Sequence, residues 1–267
     1  MSASLADRFG TAKPVIAMLH FPGLPGRPRH DRDGGRAHLL DVVGRDLEIL
    51  QTAGVDGLLF CNENDIPYQL DVGPEIPAAM AATIGELHSA IRVPFGVNIL
   101  WDAKASLALA RATGAAFIRE VLTGVYESDM GIIAPALGDL AGYRTVIGGD
   151  DIALFDNISP EFSSALGSRT IADRAKGAAF LGVDALLISG PAAGVPFSMG
   201  DLRAVKEAVP EIAVIANTGV RADTVAEIFK VADAAIIGTS LKVDGNTWNP
   251  VDGERVKRFM DVANTLG

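Results

Sequence analysis

The chain has 267 residues, 49% of them hydrophobic, and carries 23 Lys and Arg against 33 Asp and Glu, a formal charge of −10. A chain of this size can bury about three quarters of its unfolded surface around one core, so residues 1–267 are expected to form a single domain. The acidic balance argues against nucleic acid or an anionic membrane surface as partner, because displacing counterions from a phosphate array takes a basic face.

The single cysteine, Cys61, closes no intrachain disulfide and belongs to no cysteine cluster. The N-terminal segment is mixed and polar, and no run approaches the ~18 apolar residues of a membrane span. These features predict a cytoplasmic protein without membrane insertion.

In chain order, eight apolar runs at 15–19, 58–60, 95–100, 117–118, 152–155, 186–188, 212–216 and 235–237 read as strands. Their hydrophobicity is continuous, as a parallel sheet buried on both faces requires. A recurring helix-end pattern precedes every second run, as in Ala53-Gly54-Val55-Asp56-Gly57 and Leu181-Gly182-Val183-Asp184-Ala185. Between the runs lie helical stripes: Leu39, Val43, Leu47 and Leu50; Met80, Ile84, Leu87 and Ile91; Val225, Ile228 and Ala232; Val256, Phe259, Met260 and Ala263. Asp102 is placed to cap the third helix, and Ser198 with Asp201 gives a capping-box pattern for the sixth. Eight alternations predict an α/β single-domain (β/α)₈ TIM barrel. An open doubly wound sheet is the alternative, but no Gly-rich dinucleotide fingerprint follows the first strand.

In a barrel the chemistry sits at the C-terminal ends of the strands. The residues there are His20; Asn62, Glu63 and Asp65; Asn98 and Asp102; Arg119 and Glu120; Asp156 and Asn157; Ser189; Asn217 and Thr218; Thr239 and Ser240. Loop starts are polar in any barrel, yet several carboxylates and amides converge on this one rim.

The turns after strands seven and eight, Asn217-Thr218-Gly219 and Gly238-Thr239-Ser240, suit a phosphate group, which small-residue turns bind through backbone N–H groups without a lysine. The same glycines would also serve a tight turn or close backbone packing. The long first loop carries Arg27, Arg29 and Arg32, and reads either as a lid over the rim that attracts an anion or as a solvated surface loop.

Several motifs together resemble the BtpA/SgcQ family of barrel proteins, over almost the whole chain. They include Lys13-Pro14-Val15-Ile16 leading to His20, Leu24-Pro25-Gly26, Gly96-Val97-Asn98, Phe117-Ile118-Arg119 with Leu122-Thr123-Gly124-Val125-Tyr126, and Ser189-Gly190. Most specific is the stretch from Ile237-Gly238-Thr239-Ser240 through Leu241-Lys242-Val243-Asp244-Gly245 to Asn249-Pro250-Val251-Asp252. The resemblance implies two contexts: sugar metabolism in non-photosynthetic bacteria, or a non-catalytic assembly role as in photosystem I biogenesis. Three positions depart from the family pattern. Cys61 stands before Asn62 where a carboxylate is expected, Asn217-Thr218-Gly219 replaces a Gly-Ser-Gly turn, and the loop at 159–164 lacks an expected histidine.

A small phosphorylated, sugar-like metabolite anchored at strands seven and eight would reach toward Asn62, Asp65, Asn98, Glu120 and Asp156. Proton abstraction beside a carbonyl, as in an isomerase or lyase, would use Asp156 or Glu120 as base and Asn98 or His20 as donor. A hydrolase would instead use a carboxylate to activate water. Schiff-base chemistry is disfavoured, since only Lys242 among the lysines near strands follows a strand rather than starting one. No cofactor is expected. A divalent cation on His20, Glu63, Glu120 and Asp156 is the alternative, although their spacing matches no compact ligand motif. Association into a homo-oligomer is also expected, as barrels frequently associate.

Overall fold

The computed structural model describes residues 4–266. Its elements, in chain order, are α1 (Leu5–Phe9), β1 (Val15–His20), α2 (Gly35–Thr52), β2 (Gly57–Cys61), α3 (Glu75–Leu87), β3 (Phe95–Asn98), α4 (Ala103–Thr113), β4 (Phe117–Glu120), β5 (Tyr126–Ser128), β6 (Gly131–Ile133) and α5 (Leu137–Val146). They continue with β7 (Ala153–Asn157), β8 (Ser163–Ala165), α6 (Ile171–Phe180), β9 (Ala185–Ile188), α7 (Met199–Ala208), β10 (Ala213–Asn217), α8 (Val225–Ile228), β11 (Ala234–Ile237) and α9 (Gly253–Ala263).

Eight parallel strands close a barrel in the order β1-β2-β3-β4-β7-β9-β10-β11, and these are the eight apolar runs of the sequence. Because side chains alternate across a strand, each strand feeds two cores. One fills the barrel with Ile16, Met18, Leu59, Phe117, Phe155, Leu187, Ile215 and Ile236. The other lies between strands and helices, with Leu58, Phe60, Ile118, Leu154, Leu186 and Val214 against the helical stripes. Phe117 stacks on Phe155 at 4.5 Å between ring centroids. A Cβ at Gly96 would collide with the Phe117 ring, so that glycine makes room for the aromatic layer.

The N-cap expectations hold for two helices, although the capping box expected at α7 lacks its reciprocal half, a bond from the Ser198 N–H to the Asp201 carboxylate. Asp102 accepts the Ala105 N–H at 2.9 Å and caps α4, and Ser198 accepts the Asp201 N–H at 3.2 Å and caps α7. Two helices are shorter than their stripes: α3 ends at Leu87 and passes into a 3₁₀ turn before Ile91, and α8 is four residues long.

Two features go beyond the eight repeats. Helix α1 plugs the N-terminal end of the barrel: Phe9 meets Phe117 edge-on at 5.8 Å, and Arg8 donates to the Ala116 carbonyl at 2.7 Å. At the opposite end, β5, β6 and β8 form a small antiparallel sheet in the loops after β4 and β7. The long first loop folds down onto the loop after β2, where Arg27 donates to Gln69 and to the carbonyls of Asp65 and Pro67. Among the described residues, no helix is long and apolar enough to cross a membrane.

Candidate functional site

The C-terminal layer of the barrel interior is polar and almost fully hydrogen-bonded. Arg119, projecting inward two residues beyond Phe117, donates from one Nη to Asn98 Oδ1 at 3.0 Å and from the other to Glu161 Oε1 at 2.7 Å. Glu161, from the loop after β7, also accepts from Asn217 Nδ2 at 3.0 Å and from Asn157 Nδ2 at 2.9 Å. Ser189 closes the circuit, accepting from Asn217 at 2.7 Å and donating to Asn157 at 3.0 Å. Four barrel strands, the residue just after β9 and the loop after β7 thus share a single network around a buried ion pair whose side chains are 6% and 8% exposed.

Above this layer opens a cleft lined by His20, Glu63, Arg119, Glu161, Thr247 and the turns at 217–220 and 238–240. The space in it open to a water-sized sphere is about 50 Å³, room for one small group and not for a polymer. Two of its buried nitrogens, His20 Nδ1 and Arg119 Nε, have no hydrogen-bond partner among the described residues. Burial, aided by the charges of Lys242 and Arg119, holds the His20 imidazole well below its ordinary pKa, so the ring is neutral. Burial pushes the Glu63 carboxyl up, with Arg119 opposing. Tyr68 donates to Glu63 Oε1 at 3.2 Å, and the Cys61 thiol faces Oε2 at 3.7 Å. Burial and the Glu63 charge push that thiol well above its usual range, which leaves it protonated and unreactive.

All six residues expected to hold an anion, Asn217, Thr218, Gly219, Gly238, Thr239 and Ser240, line this one cleft. Thr218 and Gly219 both adopt positive φ, near 60°. For a β-branched residue that conformation is strained by about 1–3 kcal/mol. Two hydrogen bonds hold it: Thr218 Oγ1 accepts the Gly190 N–H at 2.6 Å and donates to the Val195 carbonyl at 3.0 Å. A Cβ at Gly219 would come within 2.5 Å of Pro196, so only glycine fits there. Ser240 donates to the Val220 carbonyl at 2.7 Å and locks the two turns together.

The six expected catalytic residues divide differently. His20 faces the cleft. Asn98 lies directly beneath it, bonded to Arg119 and, at 2.5 Å, to Glu120. Glu120 and Asp156 share the strand face of Ile118 and Leu154, which looks toward the helices. Glu120 accepts from Ser106 of α4 at 2.6 Å, and Asp156 accepts the Leu122 N–H at 2.8 Å and the Thr123 hydroxyl at 2.6 Å. Burial raises both, to about 8 for Glu120 and about 6 for Asp156. Asn62 and Asp65 brace loops: Asn62 accepts the Leu100 N–H, and Asp65 accepts from Asn62 and from the Leu24 N–H.

The carboxylates that do face the cleft are Glu63 and Glu161. Glu63 was legible as a rim residue, and Glu161 carries no sequence signal beyond its place in the loop after β7. Among the described residues, no group of three or more His, Cys, Asp or Glu gathers as metal ligands do. Lys242 is 2% exposed and turns away from the mouth toward Asp46.

Comparison with known proteins places this geometry. Among solved structures, N-(5'-phosphoribosyl)anthranilate isomerase from Pyrococcus furiosus superposes with a TM-score of 0.56 over 95% of this chain and 99% of that one, at 14% identity. A structure described as native KDPGal gives 0.58 over 100% and 98%, also at 14% identity. At such identities the likeness is one of fold, and both are barrels. In sequence, the sgc region protein SgcQ of Escherichia coli (strain K12) is 45% identical over 258 residues, 96% of each chain. The photosystem I biogenesis protein BtpA of Synechocystis sp. (strain ATCC 27184 / PCC 6803 / Kazusa) is 30% identical over 261 residues, 96% of this chain and 90% of that one. With the BtpA family pattern matching residues 11–265 as well, the chain belongs to the BtpA family.

Proposed function

We propose that the protein is an enzyme that moves a proton on a small phosphorylated, sugar-like metabolite held in the barrel mouth. The observation that carries this reading is the pair of buried, unpartnered nitrogens, His20 Nδ1 and Arg119 Nε, lining one cleft. A buried polar group without a partner costs about 1–3 kcal/mol, and a ligand that supplies the partner recovers it.

The phosphate would sit against the turns after β10 and β11, where the N–H groups of Gly219, Val220 and Gly238 make no hydrogen bond within the described residues. Its carbon chain would then lie over Arg119, between Glu63 and His20. Glu63 is the proton carrier in this reading. Its raised pKa brings it nearer neutrality, where a general base and acid works best. Arg119, fixed by Asn98 and Glu161, would stabilise negative charge developing on a carbonyl oxygen. Neutral His20 would donate or accept a single hydrogen bond and fix orientation. Isomerisation and carbon–carbon cleavage beside a carbonyl share this step, and a hydrolase would use the same carboxylate on water. The biogenesis role in one relative's name needs an exposed protein-binding surface, and unpaired donors at the base of a small cleft have no use in it.

Thermal unfolding with inorganic phosphate and a panel of sugar phosphates tests the reading. At ligand near 100 times its dissociation constant, binding adds about 2.7 kcal/mol, a shift of roughly 5 °C for a domain of this size. Glu63→Gln should keep the shift while removing turnover of whichever ligand reacts. Gly219→Ala should abolish the shift. No shift with phosphate or any sugar phosphate would overturn the proposal.

A further inference from the structure

Beside the mouth lies a second cleft, and the two share His20 and Thr247 as walls. They are also joined by a hydrogen bond: Thr247 Oγ1 is 2.7 Å from Thr239 Oγ1, on the turn assigned to the phosphate. The second cleft is lined by Arg29, Arg45, Lys242, Trp248 and a single carboxylate, Asp46. Three cations thus face one acid in a chain whose formal charge is −10. Lys242 is only 2% exposed, and the sole hydrogen-bond partner of its ammonium among the described residues is Asp46 Oδ2 at 3.4 Å. That is long for a charge-assisted bond, which usually measures about 2.7–2.9 Å, and an ammonium has three donors. Buried donors therefore remain in this cleft for an acceptor that the protein does not supply. At the rim the Arg29 guanidinium lies 4.7 Å over the Trp248 ring, tying the first loop to the loop after β11. Trp248 stays 46% exposed, and the Arg45 side chain 47%.

We propose that this cleft binds a second anionic group of the same ligand, so that the substrate is a small metabolite with an acidic group at each end, a sugar bisphosphate or a phosphorylated sugar acid, lying across His20. The inference rests on the mouth holding the first phosphate. Lys242 with Arg45 receives the second anion, and Arg29 closes over it from the Trp248 side. Mixed charge–charge recognition of this kind selects for the length of the ligand as well as its charge, since a monophosphate reaches only one of the two sites.

Matched pairs of probes separate the two sites: fructose 6-phosphate against fructose 1,6-bisphosphate, and glucose 6-phosphate against 6-phosphogluconate. Titration calorimetry should show at least a tenfold tighter dissociation constant for a member with two acidic groups. Arg45→Gln should cut that advantage below threefold and leave the monophosphate constant unchanged, while Arg92→Gln, remote and paired with Glu48, should preserve it. In a Trp101→Phe background Trp248 is the sole tryptophan, and its emission should respond to the ligand with two acidic groups more strongly than to its monophosphate partner at equal saturation of the mouth. Equal affinities within both pairs, an advantage that survives Arg45→Gln, or a silent Trp248 would each overturn the second site. If inorganic phosphate still protects the mouth in that case, only this inference falls. Failure of phosphate and all four sugar derivatives to bind overturns both readings.

Discussion

Glu120 shows how a buried carboxyl can be structural and still leave a measurable mark. It accepts from Asn98 and Ser106, and burial lifts it from 4.5 to about 8, while Asp156 rises from 3.8 to about 6. Below pH 4.5 the folded and unfolded chains both hold the Glu120 proton. Between there and about 8 only the folded chain holds it, so the stability linked to this group is full at low pH and is lost as pH rises through the folded value. Asp156 adds the same sign over a lower window. Glu120→Gln mimics the protonated acid. Calorimetry should find its Tm equal to the parent's near pH 5 and higher than the parent's at pH 8, and a constant difference across that range would show that the carboxyl titrates normally. The same residue explains what the sequence hid. Strand-end position marked all the rim residues, but which of two neighbours faces the mouth is decided by alternation, and strands apolar on both faces show none. Counting from Phe117 and Phe155, whose rings fill the barrel, puts Arg119 and Asn157 inside and Glu120 and Asp156 outside. That count needs one inward residue per strand to be known first.

The barrel elements were legible because each strand is a compact apolar run bounded by a helix-end signal, and the parallel pairing follows from their alternation with helices. Helix α5 was less so, since only Leu137 and Leu140 are buried in it and two glycines interrupt it. The antiparallel sheet of β5, β6 and β8 escaped for a related reason: three-residue strands, each with its middle side chain exposed, are too short to show a period. Helix α1 is five residues long, and its one buried side chain is Phe9. Phe9 is 8% exposed and packs on Phe117, so Phe9→Ala opens a cavity at the barrel floor costing about 3 kcal/mol or more. Chemical denaturation should show that loss, with Tm lower by roughly 6 °C. The floor and the mouth are opposite ends of the barrel, so phosphate affinity should be unchanged. A parallel loss of phosphate binding would mean that the aromatic layer through Phe117 and Phe155 transmits strain to Arg119.

Over the whole molecule, a formal charge of −10 has to be reconciled with an anionic ligand. The net charge repels an anion at long range, and salt screens that repulsion beyond a Debye length of about 8 Å at physiological ionic strength. The attraction in the mouth comes from buried groups, Arg119 at 5% exposure and backbone N–H groups, which mobile ions screen far less. The two effects carry opposite signs in their salt dependence. Raising sodium chloride from about 20 to 200 mM should therefore leave the affinity for a monophosphate unchanged or slightly improved, where a site made of surface lysines would weaken severalfold. The second cleft differs, because Arg29 and Arg45 stand at a solvent-exposed rim while only Lys242 is buried. Its contribution should fall with salt, so the advantage of a bisphosphate over a monophosphate should shrink across the same range. Calorimetric titrations of both ligands at the two salt concentrations, in chloride to avoid competing oxyanions, read these slopes directly. A monophosphate affinity that drops tenfold would place the anion on exposed cations instead of over Arg119, and would move the site away from the barrel axis.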